Sequence, residues 1–180
     1  MSSIFSDDPP TKELPVSVCR ATSFFSNSAV LVIILVIVII SIIAMWLFGS
    51  GIGDRVLDGL ILPIGFPTYV IRNLFNTVAI ILIAVAAWFL IPTLPELEGS
   101  VFILLFIIIC VALLISEGLL EFRRDANGAG LTCSLAATAT LFLIVASWQS
   151  ANWIKLILIL PLLWFVYLTL ELLFLARNNA

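Results

Sequence analysis

The stretch Trp153–Ala176, WIKLILILPLLWFVYLTLELLFLA, decides how the rest of this chain is read. It holds 24 residues. As a helix rising ~1.5 Å per residue it extends ~36 Å, enough to cross a hydrocarbon layer of ~30 Å. Pro161 lies in its first half, and one ionisable group, Glu171, lies deep in its second. A carboxylate is costly in hydrocarbon. Glu171 is therefore expected to face other helices, to face water, or to reach the interface near Arg177.

The composition of the whole chain agrees with such a span. Of 180 residues, 63% are hydrophobic and 11% charged, and the mean hydropathy is +1.27. Soluble domains are roughly half apolar and a quarter charged, so no water-soluble fold of this size hides so much apolar surface. The net charge of −3 is spread along the chain, which gives no footprint for nucleic acid. Histidine is absent, which removes the commonest metal ligand, general base and axial haem ligand. Cys19, Cys110 and Cys133 are odd in number and form no CxxC. They read as inert thiols rather than as a metal site or a disulfide framework. No catalytic set is visible, and an enzyme is not expected.

Working outward, four more apolar segments are expected to pack around the last. Residues 1–27, broken by Pro9, Pro10 and Pro15, read as a flexible arm whose Phe24 and Phe25 dip into the interface. Residues 28–178 read as one membrane domain, with spans at about 28–48, 69–91, 101–122, 131–148 and 153–176. The expected fold is an all-α integral membrane protein, a bundle of five transmembrane helices. The first span is Ile/Val/Leu on every face, which points to extensive lipid contact. The long connection 49–66 holds several glycines and an amphipathic piece, Asp54–Leu62, and reads as a lid. Pro67 is expected in the first turn of the second span. Pro92, Pro95, Glu96, Glu98 and Gly99 read as an acidic turn, and Arg123 to Gly130 as a stop. In the fourth span, Cys133–Ala137 and Ala136–Thr140 at i,i+4 allow a neighbouring helix to approach closely.

Five crossings place the termini on opposite sides. Lys12, Arg20 and Lys155 fall on one side; Arg55, Arg72, Arg123, Arg124 and Arg177 fall on the other. The positive-inside rule then puts the C-terminus and the long first loop in the cytoplasm. Arg72, Glu117, Glu121 and Glu171 all gather toward that same membrane face, with Asn73 and Asn76 beside them. One reading is a polar-mouthed cavity between helices, with Arg72 paired to a glutamate. The other is interfacial snorkelling together with ion pairs that hold the bundle. Four of the five tryptophans lie near span ends, where an aromatic belt is expected. Trp164 is interior and is the better pocket candidate.

Three patches resemble the TspO/translocator-protein family, the tryptophan-rich sensory proteins. LISEGLLEFRR (Leu114–Arg124) is similar to the family's Leu-Trp-Ser-Pro-Leu-Phe-Phe-Gly-Leu-Arg-Arg and keeps Leu114, Ser116, Arg123 and Arg124. LPLLWFVYLTLELLFLARN (Leu160–Asn178) is similar to the family's proline-led last span and keeps Pro161 with Trp164 nearby. GFPTYVIRNLF (Gly65–Phe75) resembles the Pro-Pro-x-Trp start of the second span and keeps Pro67 with Tyr69 nearby. The family's paired prolines fall on Phe66–Pro67, and its proline in span three on Glu117. Other pocket positions fall on Ile71, Phe75, Val78, Ala79, Leu162 and Leu173.

The resemblance implies a divergent relative with an altered pocket, lined by Tyr69, Arg72, Asn76, Glu117, Trp164 and Glu171. It also implies a homodimer that binds an apolar or amphipathic small molecule such as a tetrapyrrole, sterol or lipid. A porphyrin would find aromatic walls and Arg72 for a propionate; without histidine it would be metal-free or weakly ligated. The rival expectations are an accessory or assembly subunit of a larger membrane complex, and a small transporter.

Overall fold

The structure, a computed structural model, describes residues 27–49, 61–94, 96–148 and 151–179. The N-terminal arm up to residue 26, and residues 50–60 of the expected lid with most of its amphipathic piece, lie outside these residues. The described residues form five long α-helices and no strand: α1 Asn27–Gly49, α2 Tyr69–Leu90, α3 Glu96–Arg123, α4 Ala126–Ala146 and α5 Asn152–Asn178. All five are long and apolar enough to cross a bilayer. The protein is an all-α, multi-pass integral membrane protein.

The helix ends follow from local chemistry. Thr68 caps α2, its hydroxyl accepting from the Ile71 N–H at 3.5 Å. Pro67 consequently sits just outside the helix rather than in its first turn, because Thr68 supplies the capping oxygen. At the other end, Pro92 cannot donate to the α-helical ladder, and the chain tightens into a 3-10 turn over Ile91–Thr93. The expected acidic turn is shorter than its composition suggests. Glu96 to Ser100 already belong to α3, since one glycine costs a helix only ~1 kcal/mol and an apolar run follows.

The stop after α3 is likewise compressed. Arg124 alone takes a left-handed conformation, at φ 53°, and the Asp125 N–H reaches back to the Leu119 carbonyl at 3.1 Å. Asp125 then caps α4 by accepting from the Gly128 N–H at 2.8 Å, so Ala126–Gly130 form the first turn of α4 instead of a loop. Before α2, Pro63–Phe66 make a turn closed by the Phe66 N–H to the Pro63 carbonyl at 3.1 Å. Gly65 occupies its third position at φ 94°, a conformation that a side chain disfavours.

The helices surround one core in the order α1, α3, α4, α5, α2. The most extensive packing is of α4 against α3 and against α5. Small side chains make this possible. Ala129, Cys133, Ala136, Ala137 and Thr140 are buried, and the Ser116 hydroxyl of α3 donates to the Ala129 carbonyl at 3.0 Å. Gly130 faces α5, where an added Cβ would lie 3.1 Å from Leu173. By contrast, α1 buries a single stripe, Val30, Ile34, Val38, Ser41 and Met45, and turns Val32, Leu35, Ile40 and Leu47 outward.

One end of the bundle is stitched together by polar contacts. The Trp46 indole of α1 donates to the Thr77 hydroxyl of α2 at 3.3 Å. The Asn179 side chain grips the segment before α2, accepting from the Ile61 N–H at 2.8 Å and donating to the Ile61 carbonyl at 3.1 Å. The opposite end carries Trp88, Trp148 and Trp153, all exposed, with Lys155 placed over Trp148 at 5.1 Å, as expected at a membrane–water boundary.

Candidate functional site

Near the stitched end, five of the six residues singled out from the sequence stand in one connected set. Arg72 of α2 and Glu117 of α3 are each only 2% exposed. The Arg72 Nη2 donates to Glu117 Oε2 at 2.7 Å, and its Nε donates to Oε1 and Oε2 at 2.9 and 3.0 Å. Such forked geometry suits a guanidinium and a carboxylate. Asn76, one helical turn after Arg72, donates to Glu117 Oε1 at 3.0 Å. Its own Oδ1 accepts from the Trp164 indole of α5 at 2.7 Å. Three helices are thereby joined through one carboxamide and one carboxylate.

Tyr69 adds the fourth element. Its ring lies under the Arg72 guanidinium, 5.7 Å from centroid to Cζ, and its hydroxyl donates to the Met45 carbonyl of α1 at 2.9 Å. Asn73 donates to the same carbonyl at 3.2 Å. The Arg72 charge is thus held inside the bundle against Glu117 rather than reaching the interface, and an ion pair of this kind belongs to both sequence readings. Glu171 stands apart. Among the described residues no hydrogen bond or ion pair links it to the other five, its Oε2 is buried without a partner, and its charge acts on Tyr167, one turn back on α5.

Outside this set, between α2 and α5, runs a groove of about 380 Å³. Its aromatic wall is Phe75, Trp164 and Tyr167, and its floor includes Ala79 and Pro161. Phe75 and Trp164 stack at 4.7 Å with 24° between planes, and Tyr167 tilts against Trp164 at 5.6 Å. The Tyr167 hydroxyl donates to the Gly65 carbonyl at 2.9 Å, so the turn before α2 closes one end of the wall. Trp164 alone of the six sequence candidates lines the groove; Arg72, Asn76 and Glu117 lie behind it. The groove opens outward between exposed Leu160, Leu163 and Val78, where acyl chains would lie.

Phe75 and Tyr167 were legible only in part. Tyr167 is one of two tyrosines, and its i,i+3 spacing from Trp164 places both on one helix face. Phe75 carries no signal in composition or periodicity, because it is one apolar residue in a span full of them; only the family resemblance marked its position as a pocket position. The fold and this centre define a class, a polytopic helical membrane protein with a buried, fully helix-bridging ion pair beside an aromatic surface groove. No protein-family model matches the chain, and comparison with curated proteins and with solved structures likewise returns no match.

Proposed function

We propose that the protein binds an apolar or amphipathic molecule taken from the bilayer, and that the α2/α5 groove is where it binds. The observation that carries this reading is the position of Trp164. Its ring faces the groove while its N–H is tied to Asn76, which is tied to Glu117. A flat or acyl ligand stacked on the aromatic wall would press on a side chain whose other end is part of the buried centre. That arrangement suits a sensory or regulatory binder, and it agrees with the resemblance to the TspO family. A volume of about 380 Å³ lies within the ~300–1,000 Å³ range of small-molecule sites. Arg72 is a poor anchor for a propionate because Glu117 already occupies its Nε and Nη2; a sterol or acyl chain needs no such anchor.

The test is a titration of the detergent-purified protein with protoporphyrin and with a fluorescent sterol, followed by tryptophan quenching. Saturable quenching is expected in the wild type and is expected to be lost in Trp164→Leu but kept in Trp88→Leu. Quenching that rises linearly without saturation in all three would overturn the reading.

A second reading has its own support. The single buried stripe of α1 leaves the rest of that helix, and the apolar groove it shares with Trp88 on α2, open to a neighbour. An accessory subunit, or a homodimer, would use such a face. Stable recovery of other subunits from mild detergent, without saturable ligand binding, would favour it. In either case we place the C-terminus in the cytoplasm, on the balance of arginines and lysines.

A further inference from the structure

We propose that Glu117 and Glu121 share one exchangeable proton, with Arg72 holding whichever carboxylate is ionised. Glu121 follows Glu117 by one turn of α3, so their Cβ atoms are ~5–6 Å apart. It is 5% exposed, and among the described residues neither of its carboxylate oxygens has a hydrogen-bond partner. Two further buried polar atoms nearby are also unpartnered: Arg72 Nη1 and Asn73 Oδ1. Around the fully engaged Glu117 there is therefore one idle acid group and one idle guanidinium NH2 group.

Charge counting turns this geometry into chemistry. The charged groups acting on Glu121 are Glu117, on its own helix, and Arg72, on α2. The other titratable groups facing the set are Tyr69 on α2 and Cys133 on α4. The described part of α1 has no ionisable residue, and on α5 Glu171 acts on Tyr167 instead. Two carboxylates against one guanidinium leave one uncompensated negative charge. A buried, unpaired carboxylate is far costlier than its neutral acid. A proton removes the charge without needing a coordination shell, and the donor set for a metal ion is lacking, since no three His, Cys, Asp or Glu side chains converge among the described residues.

The two arrangements are chemically balanced. In one, Arg72 pairs with the Glu117 carboxylate and the proton sits on a Glu121 oxygen. In the other, the O–H bond of Glu121 breaks, a proton is gained by Glu117, and the guanidinium swings its idle NH2 group to Glu121. Total charge is the same in both. Because Asn76 joins Glu117 to Trp164, the second arrangement is felt at the groove wall; the proton site itself requires no ligand.

Infrared difference spectroscopy of the full-length protein in lipid nanodiscs, titrated from about pH 6, where solvated carboxylates are already ionised, to alkaline buffer, tests this directly. The wild type is expected to show a protonated-carboxyl band that disappears reversibly with rising pH and amounts to one group per chain. Glu121→Gln is expected to lose the band while keeping helical content and melting temperature. Glu117→Gln is expected to lose it too, because Arg72 then pairs with the remaining carboxylate. Retention of the band in Glu121→Gln overturns the proposal, as does a wild-type band that persists unchanged at every pH. A melting temperature that rises with sodium or potassium in the wild type, and not in Glu121→Gln, overturns it in favour of a metal cation.

Discussion

Arg72 and Glu117 illustrate what a single pair of residues does in this interior. Neither charge could remain there alone. Removing one partner strands the other in a low-dielectric setting, whereas replacing both with apolar groups removes the problem. Arg72→Met is expected to destabilise the protein by ~3–5 kcal/mol, and Arg72→Met with Glu117→Leu to recover most of that loss. Unfolding of the purified protein in mixed detergent micelles measures both; equal losses in the single and double variants would contradict the pairing. Asn76→Leu should also cost ~1–3 kcal/mol, since it leaves the Trp164 N–H without its partner and removes one of the two donors to Glu117 Oε1, and it should change the near-ultraviolet dichroism of Trp164. The sequence placed these residues toward one membrane face, because successive spans alternate in direction and so bring the start of the second and the ends of the third and fifth to the same side. It could not show who pairs with whom. Glu117 and Glu121 share one helix face, and only the rotation of α3 against α2 decides which of them Arg72 reaches.

At the scale of the helix, the spans were legible and their seams were not. Runs such as Val30 to Phe48 are apolar for longer than any soluble strand or helix needs. The same uniformity erases the stripe that would mark a buried face, which is why the packing order around the core does not follow from periodicity. Only α4 betrays its neighbours, through the small residues on which α3 and α5 both close. Gly130→Val is accordingly expected to destabilise by ~1–3 kcal/mol, forcing Leu173 and Leu172 aside. Half-buried Ser134→Ala on the same helix, away from the core contacts, should change stability by less than ~0.5 kcal/mol. Cap chemistry misled the sequence reading at the C-terminal end of α3, where Asp125 caps α4. Asp125→Ala should cost ~1 kcal/mol and return the first turn of α4 to a loop, seen as faster amide hydrogen exchange over Ala126–Gly130.

At the scale of the whole molecule, the described residues form a ring of five helices with a polar knot near one end and an aromatic girdle at the other. Single cysteines tested with a membrane-impermeant reagent, on a background without native cysteines, should report Ile64 and Asn178 on one side and Leu94 and Ala151 on the other. Labelling of Ile64 and Leu94 from the same side would contradict the five crossings. The grip of Asn179 on Ile61 spans 118 positions of sequence, and it ties the last turn of the chain to the segment leading into α2 and, through Gly65 and Tyr167, to the groove wall. Trimming the final few residues, by a carboxypeptidase or a premature stop codon, would therefore act like unfastening a clasp. The effect would be registered not at the tail but some distance away, where the connection enters the second helix, and a reporter fused close behind Ala180 would disturb the feature it was meant to watch.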